Sequence, residues 1–221
     1  MYKRQRVRHG IPPEATLLIS VGTICYWHKR MDHVIREVAA TGDPDLHLAI
    51  VGQESADSPA IKALGRDLLG PRVHFDSLPH AQLPSAYAAA DAFVLGSLFE
   101  TFGIVYVEAM AMGLPVICTQ HPNQRAIVKQ GVFVDMARPG ALAAVLTPAQ
   151  RAHWPQIGRQ GVAVAREHYD LQRLKRQYLA KYTEISGQAA PLPRWTLQRK
   201  VGTNLRGAWR RAVLKLQGQS E

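Results

Sequence analysis

Short runs of wholly apolar residues alternate six times with stretches of helical period between Thr16 and Leu146, and no other feature restricts the possible folds as strongly. Thr16–Gly22 (TLLISVG), Leu46–Gly52 (LHLAIVG), Val73–Leu78, Ala92–Gly96, Pro115–Thr119 and Gly131–Asp135 read as strands. Helices are expected over Arg30–Ala40, where Met31, Val34, Ile35 and Val38 share one face, and over Pro59–Leu69, Leu83–Ala90, Gly103–Met112, Asn123–Lys129 and Pro139–Leu146. Strands that are apolar on both faces and separated by helices require an α/β, doubly wound parallel sheet, with its ligand at the carboxyl ends of the strands. After Thr147 the pattern is helical, with elements at Ala149–His168 and Leu171–Ile185, and Gly187–Pro193 (GQAAPLP) has the composition of a linker. This divides the chain into a basic lead-in (1–15), an α/β domain with terminal helices (16–186), and a linker with a basic tail (187–221).

Charge enters here because the chain carries a formal net charge of +10, which at first sight points to nucleic acid. Its distribution removes that reading. Residues 1–8 carry +4 and residues 187–221 carry +6, so the body between them is neutral and offers no basic groove. Within the tail, Asn204–Gln217 sets Leu205, Trp209, Val213 and Leu216 apart from Arg206, Arg210, Arg211 and Lys215. That is a basic amphipathic helix, suited to an anionic membrane surface, to a partner, or to solvent as a plain tail. No apolar run approaches the roughly 20 residues of a membrane span. Basic residues before Ala15–Trp27 imitate a secretory signal, but no small-x-small cleavage site follows, and a buried strand is the better reading. Two cysteines, Cys25 and Cys118, make no disulfide framework, and the expected location is cytoplasmic, with residues 188–221 able to hold the chain on the cytoplasmic membrane face.

There is no G-x-x-x-x-G-K-[ST], no G-x-G-x-x-G after the first strand and no G-x-S-x-G, which weakens the readings as P-loop enzyme, dehydrogenase and serine hydrolase. What stands out is Ser97–Val116, SLFETFGIVYVEAMAMGLPV. It leads from a strand end through Glu100 into a helix opening near Phe102-Gly103, and it leaves through Gly113 and Pro115. The free amides of Phe102, Gly103 and Ile104 are expected to face a phosphate at the strand ends, with Gly103 permitting close approach. Glu108 falls about 10 Å further along the helix, the separation of two sugar rings flanking a diphosphate. The alternative is that Glu100 complements the helix dipole and Glu108 lies on the surface.

The pair Glu100/Glu108, with F-G between and E-A-M-A-x-G-x-P-V after, resembles the donor-binding, C-terminal half of retaining GT-B glycosyltransferases of the broad family-4 group. Val21–Asp32 (VGTICYWHKRMD), Leu46–Gly52 and Leu83–Ser97 (LPSAYAAADAFVLGS) are similar to the family's preceding blocks, so the resemblance covers about His9 to Ile185. It implies a Rossmann-like single domain that transfers a hexosyl group from a UDP-, GDP- or ADP-sugar with retention and without a metal ion. Lys29 and Glu100 are implied as catalytic, Lys29 on the diphosphate and Glu100 on the sugar. Phe102, Gly103 and Ile104 are implied to bind sugar and phosphate, Glu108 the ribose, and Gly22 and Gly52 to keep the strand ends open. His28, Arg30, Cys118 and His121 sit near the same edge, with a structural reading favoured.

Two positions depart from the family pattern. Thr23 stands where an arginine is usual and Ser77 where a glycine is usual, so the diphosphate lacks a counter-charge that Arg30 or another domain would have to supply. The first strand begins at Thr16, leaving no room before it for the family's N-terminal acceptor domain. Three readings are open: a fragment of a longer enzyme, one half of a transferase split over two polypeptides with a separate acceptor-domain polypeptide as partner, or a domain kept for nucleotide-sugar binding without transfer. The last helix, which in whole enzymes crosses to the other domain, would expose an apolar face. Alternative readings are a non-catalytic nucleotide-sugar-binding or assembly subunit, and a related sugar-nucleotide enzyme such as an epimerase or phosphorylase.

Overall fold

The computed structural model describes residues 6, 7 and 9–188. Six strands, β1 (Thr16–Val21), β2 (Leu46–Val51), β3 (Val73–Asp76), β4 (Ala92–Val94), β5 (Val116–Thr119) and β6 (Val132–Val134), form one sheet in the order β3-β2-β1-β4-β5-β6. Every pairing is parallel, with Thr16 opposite Leu46, Leu18 opposite Ala92 and Phe93 opposite Val116. All six strands lie where the apolar runs place them.

The helices are α1 (Met31–Ala40), α2 (Ser58–Leu69), α3 (Leu83–Tyr87), α4 (Ile104–Ala111), α5 (Pro122–Val128), α6 (Ala141–Val145), α7 (Pro148–Arg151), α8 (Trp154–Tyr169) and α9 (Leu171–Gln188). In α1, Met31, Val34, Ile35 and Val38 are wholly buried against the sheet, as the spacing requires. Buried residues of β1, β2, β4 and β5 join α1, α4 and α8 in a single core.

Three expectations need correction. The helix read as Ala149–His168 is two, α7 and α8, because Pro155 lacks an amide hydrogen and is accommodated only in the first turn of a new helix. The element expected over Leu83–Ala90 stops at Tyr87. The linker composition beginning at Gly187 overruns the last helix, which continues through Gln188. A boundary between two compact units falls after Leu174, inside α9. Within α9, Tyr178, Leu179, Tyr182 and Ile185 are exposed, and the Tyr178 and Tyr182 rings stack at 6.4 Å. The remainder of the linker and the basic amphipathic segment 204–217 lie outside the described residues.

The lead-in is partly anchored. Arg6 donates from Nε to the Ala89 carbonyl at 2.9 Å and from Nη1 to that of Ala15 at 2.8 Å, and its Nη2 meets Asp91 at 2.6 Å. Its charge is spent on the start of β4, not on a free basic arm.

Candidate functional site

The strand order reverses direction between β1 and β4, and in sheets of this kind ligands bind outside the carboxyl ends of those two strands. β1 ends at Val21 and runs into Gly22, Thr23 and a loop to Lys29. β4 ends at Val94 and runs through Ser97 to Glu100. The two loops meet. Lys29 Nζ lies 2.5 Å from Glu100 Oε1, and the Ser97 hydroxyl donates to the same oxygen at 2.8 Å. His28 Nε2 approaches Glu100 Oε2 at 3.5 Å. Glu100 and Ser97 are buried, and Lys29 is only 14% exposed along its side chain. A carboxylate withdrawn this far from water needs a charged or hydrogen-bonding partner, and here it has both.

Two glycines shape the approach. Gly22 has φ +150°, and a Cβ there would come 3.1 Å from Cε of Lys29, whose stem lies beneath it. A Cβ at Gly52 would collide with the Gly22 carbonyl oxygen at 1.8 Å. The two strand tips are therefore closer than any side chain permits. Together with Thr23, Ser77, Leu78, His80 and Leu83 they line a cavity of about 320 Å³.

The second acidic residue belongs to the same crevice by another route. Glu108, in the second turn of α4, accepts from the Tyr87 hydroxyl at 2.8 Å and meets His80 Nε2 at 2.9 Å. Burial, reinforced by Glu108, pushes the Tyr87 hydroxyl well above its ordinary pKa, so it stays protonated and donates. His80 lines both the glycine-walled cavity and the smaller one holding Glu108. Glu108 is thus neither a bare surface residue nor an unoccupied acceptor.

At the start of α4, Gly103 is the N-cap with φ +70°, one residue later than expected. The amides of Phe102, Gly103 and Ile104 donate to no protein acceptor among the described residues. The glycine answers to packing as well as to ligand approach: a Cβ at Gly103 would meet the Tyr106 ring at 2.5 Å. The far end of α4 closes as the sequence demands. Gly113, with φ +81°, donates to the Met110 carbonyl at 2.9 Å and Leu114 donates to that of Ala109 at 3.0 Å, a Schellman motif. A Cβ on Gly158 of α8 would strike the Gly113 carbonyl oxygen at 2.1 Å, which fixes α4 against α8.

The neighbouring candidates have structural duties. Arg30, expected to supply missing charge, instead adopts the left-handed conformation (φ +48°) and donates to the Met136 carbonyl at 2.6 Å. His121 Nδ1 accepts from the Asn123 amide at 3.2 Å and caps α5. Cys118 is wholly buried, and burial raises its pKa to about 12, which keeps it a thiol. Ser97, Tyr87 and His80 were not singled out from the sequence. Ser97 and Tyr87 stand in motif blocks that carry the resemblance, whereas nothing marks His80 in the chain. Among the described residues no group of three or more His, Cys, Asp or Glu side chains could hold a metal ion, and no helix is long and apolar enough to cross a membrane.

A parallel sheet of this order, with an acid–base pair at its switch point, defines a Rossmann-like domain of the kind that makes up about half of a GT-B glycosyltransferase. The chain belongs to the glycosyl transferases group 1 family, whose model matches residues 1–149. It is 34% identical over 156 residues to D-inositol 3-phosphate glycosyltransferase 1 of Catenulispora acidiphila, covering 64% of this chain and 37% of that protein. Sucrose-phosphate synthase from Thermosynechococcus elongatus has the same fold with a TM-score of 0.72 at 24% identity, covering 85% of this chain and 49% of its own. HepE of Anabaena, solved in complex with UDP and glucose, gives a TM-score of 0.68 at 20% identity, covering 83% and 52%. The chain spans about a third of the length of the sequence relatives it matches and about half that of these two solved structures.

Proposed function

We propose that the crevice between the β1 and β4 loops binds a nucleotide-sugar, with UDP, GDP or ADP as the nucleotide, and presents its hexosyl group for transfer with retention to an acceptor held by another domain or polypeptide. The observation that carries this reading is the Lys29–Glu100–Ser97 cluster at the switch point, beside free amides at a helix start. The nucleoside occupies the glycine-walled cavity, with Glu108 and His80 toward the ribose. Lys29 and the start of α4 face the diphosphate, and Glu100 receives the sugar hydroxyls. HepE, which shares the fold, was solved with UDP and glucose, and that supports the ligand class.

Charge decides how tightly the donor is held. A diphosphate brings about −2, against one lysine and a helix end worth about +0.5. Lys29 is already paired with Glu100, so the phosphate must share it. Affinity is therefore modest, and transition-state stabilisation comes from the same groups as negative charge grows on the departing nucleoside diphosphate. In this reading no metal ion is needed. The reaction is cytoplasmic, and residues 188–221 hold the chain on the membrane face, which flotation with and without that segment would test.

A thermal-shift panel of UDP-, GDP- and ADP-sugars tests the donor reading, because a ligand that binds only the native state raises Tm by an amount that grows with the logarithm of its affinity. At least one donor should do so. A flat panel overturns the proposal. Binding without transfer, measured with a labelled donor and added acceptors, would leave a nucleotide-sugar-binding subunit.

A further inference from the structure

A second cavity, of about 370 Å³, adjoins the donor crevice and is lined by Thr23, Trp27, His28, Ser55 and Asp57. Trp27 is 83% exposed, an unusual position for so large an apolar surface. It is not loose: its ring stacks on His28 at 5.1 Å with an interplanar angle of 24°. The other face of the indole is open. In the same lining, Asp57 Oδ2 accepts from the Tyr26 amide at 3.1 Å, while Oδ1 takes no hydrogen bond among the described residues.

The order of groups along the rim assigns the cavity its place. Glu108 and His80 stand at one end, followed by the glycine-walled cavity, then Gly22 over the Lys29 stem, then Glu100. His28 reaches Glu100 with its ring nitrogen and borders the second cavity, and Thr23 borders both cavities, so the second cavity lies beside the group that the donor reading gives to the sugar. A lipid tail would need an apolar groove, and a cation more than one carboxylate. One aromatic face lining the same cavity as a carboxylate oxygen and the Thr23 side chain suits a pyranose, whose C–H face packs on indole while its hydroxyls donate outward.

We propose that Trp27, His28 and Asp57 form a subsite through which this domain contacts the hydroxylated ring of an acceptor otherwise held by another domain or polypeptide, adjacent to the transferred sugar. The assignment to the acceptor rests on the donor reading above. The pyranose site itself does not.

The test uses the full chain labelled with ¹⁵N at its four tryptophan indoles. Trp27→Phe identifies the Trp27 resonance, and methyl α-D-mannopyranoside and methyl α-D-glucopyranoside are titrated against glycerol as control. The Trp27 signal should move saturably with at least one glycoside, in the presence of saturating UDP or GDP as well as without it. Trp27→Ala should weaken glycoside binding about fivefold to tenfold while leaving the thermal shift by the nucleotide-sugar unchanged. Movement that is linear, absent or equal with glycerol overturns the proposal. So does competition between glycoside and nucleotide, or loss of donor binding in Trp27→Ala, which would put Trp27 in the donor site. A saturable glycoside site in a chain that binds no donor would keep the pyranose site and sink the donor reading alone.

Discussion

Lys29 Nζ sits 2.5 Å from the Glu100 carboxylate, so the base that follows β1 and the acid that follows β4 meet where the winding of the sheet reverses. Separately they are two entries in a motif; together they are one buried ion pair. Removing the cation leaves Glu100 charged, desolvated and held chiefly by Ser97. Lys29→Met should therefore cost about 2–3 kcal/mol. The Lys29→Met/Glu100→Gln double variant should recover at least half of that. Urea midpoints of the four proteins check it, and strictly additive losses would mean the pair is not coupled.

Glu37 gives a second stability test, at a contact that involves none of the proposed donor-binding residues. Its buried carboxylate accepts from the amides of Gly140 at 2.7 Å and of Leu142 and Ala143 at 3.0 Å, capping α6 from α1. Three amides lose their acceptor in Glu37→Ala, so a loss of about 2–4 kcal/mol is expected. Glu37→Gln, which can satisfy some of them, should lose less. Equal losses would show that a neutral amide of the same volume replaces none of the carboxylate's hydrogen bonds.

Glu37 also marks where the sequence stops being legible. The six strands and α1 were readable because burial on both sheet faces and a 3.6-residue period are local properties of the chain. So was the exit from α4, since Gly113 and Pro115 spell a helix stop. The Glu37 cap joins positions 103 residues apart, and the His80–Glu108 contact joins positions 28 apart, with no local pattern to announce either. Helix breaks such as that before Pro155 are visible only as a preference. Glu100 and Lys29 each stand out in a local motif, but their pairing with each other depends on which strands are neighbours. The packing role of two glycines is hidden for the same reason: Gly52 and Gly103 are required by a facing carbonyl and a facing tyrosine ring, before any ligand is considered.

Acid should destabilise the domain through its histidines. His47 Nδ1 and His74 Nε2 lie 3.2 Å apart, and burial, then His9 and His47, depress His74 to about 4 from 6.5. His33 and His47 are lowered too, each chiefly by burial. Below pH 6.5 the unfolded chain takes up a proton that the folded one refuses. The stability that the neutral ring contributes is thus full above pH 6.5 and lost progressively down to about 4. His74→Gln should flatten the stability–pH curve in that window by up to about 1.4 kcal/mol per pH unit. Denaturant melts across pH 4–7 check this; an unchanged slope would contradict it.

Thr23 borders both cavities, and under the proposed donor binding it lies where the diphosphate lacks a counter-charge. Thr23→Arg should tighten UDP or GDP binding about tenfold, one charge-assisted hydrogen bond's worth. Calorimetry reads it directly, and unchanged affinity would mean that the charge is supplied elsewhere.

The most direct test compares nucleotide with nucleotide-sugar on the wild-type chain and on Glu100→Gln, by calorimetry with the best donor of the panel. Glu100 facing the sugar predicts that the wild type binds the nucleotide-sugar more tightly than the nucleotide. It also predicts that Glu100→Gln abolishes most of that difference, about tenfold in Kd, with less effect on the nucleotide alone. An undiminished sugar increment in Glu100→Gln, or no binding of either ligand to the wild type, would contradict the account.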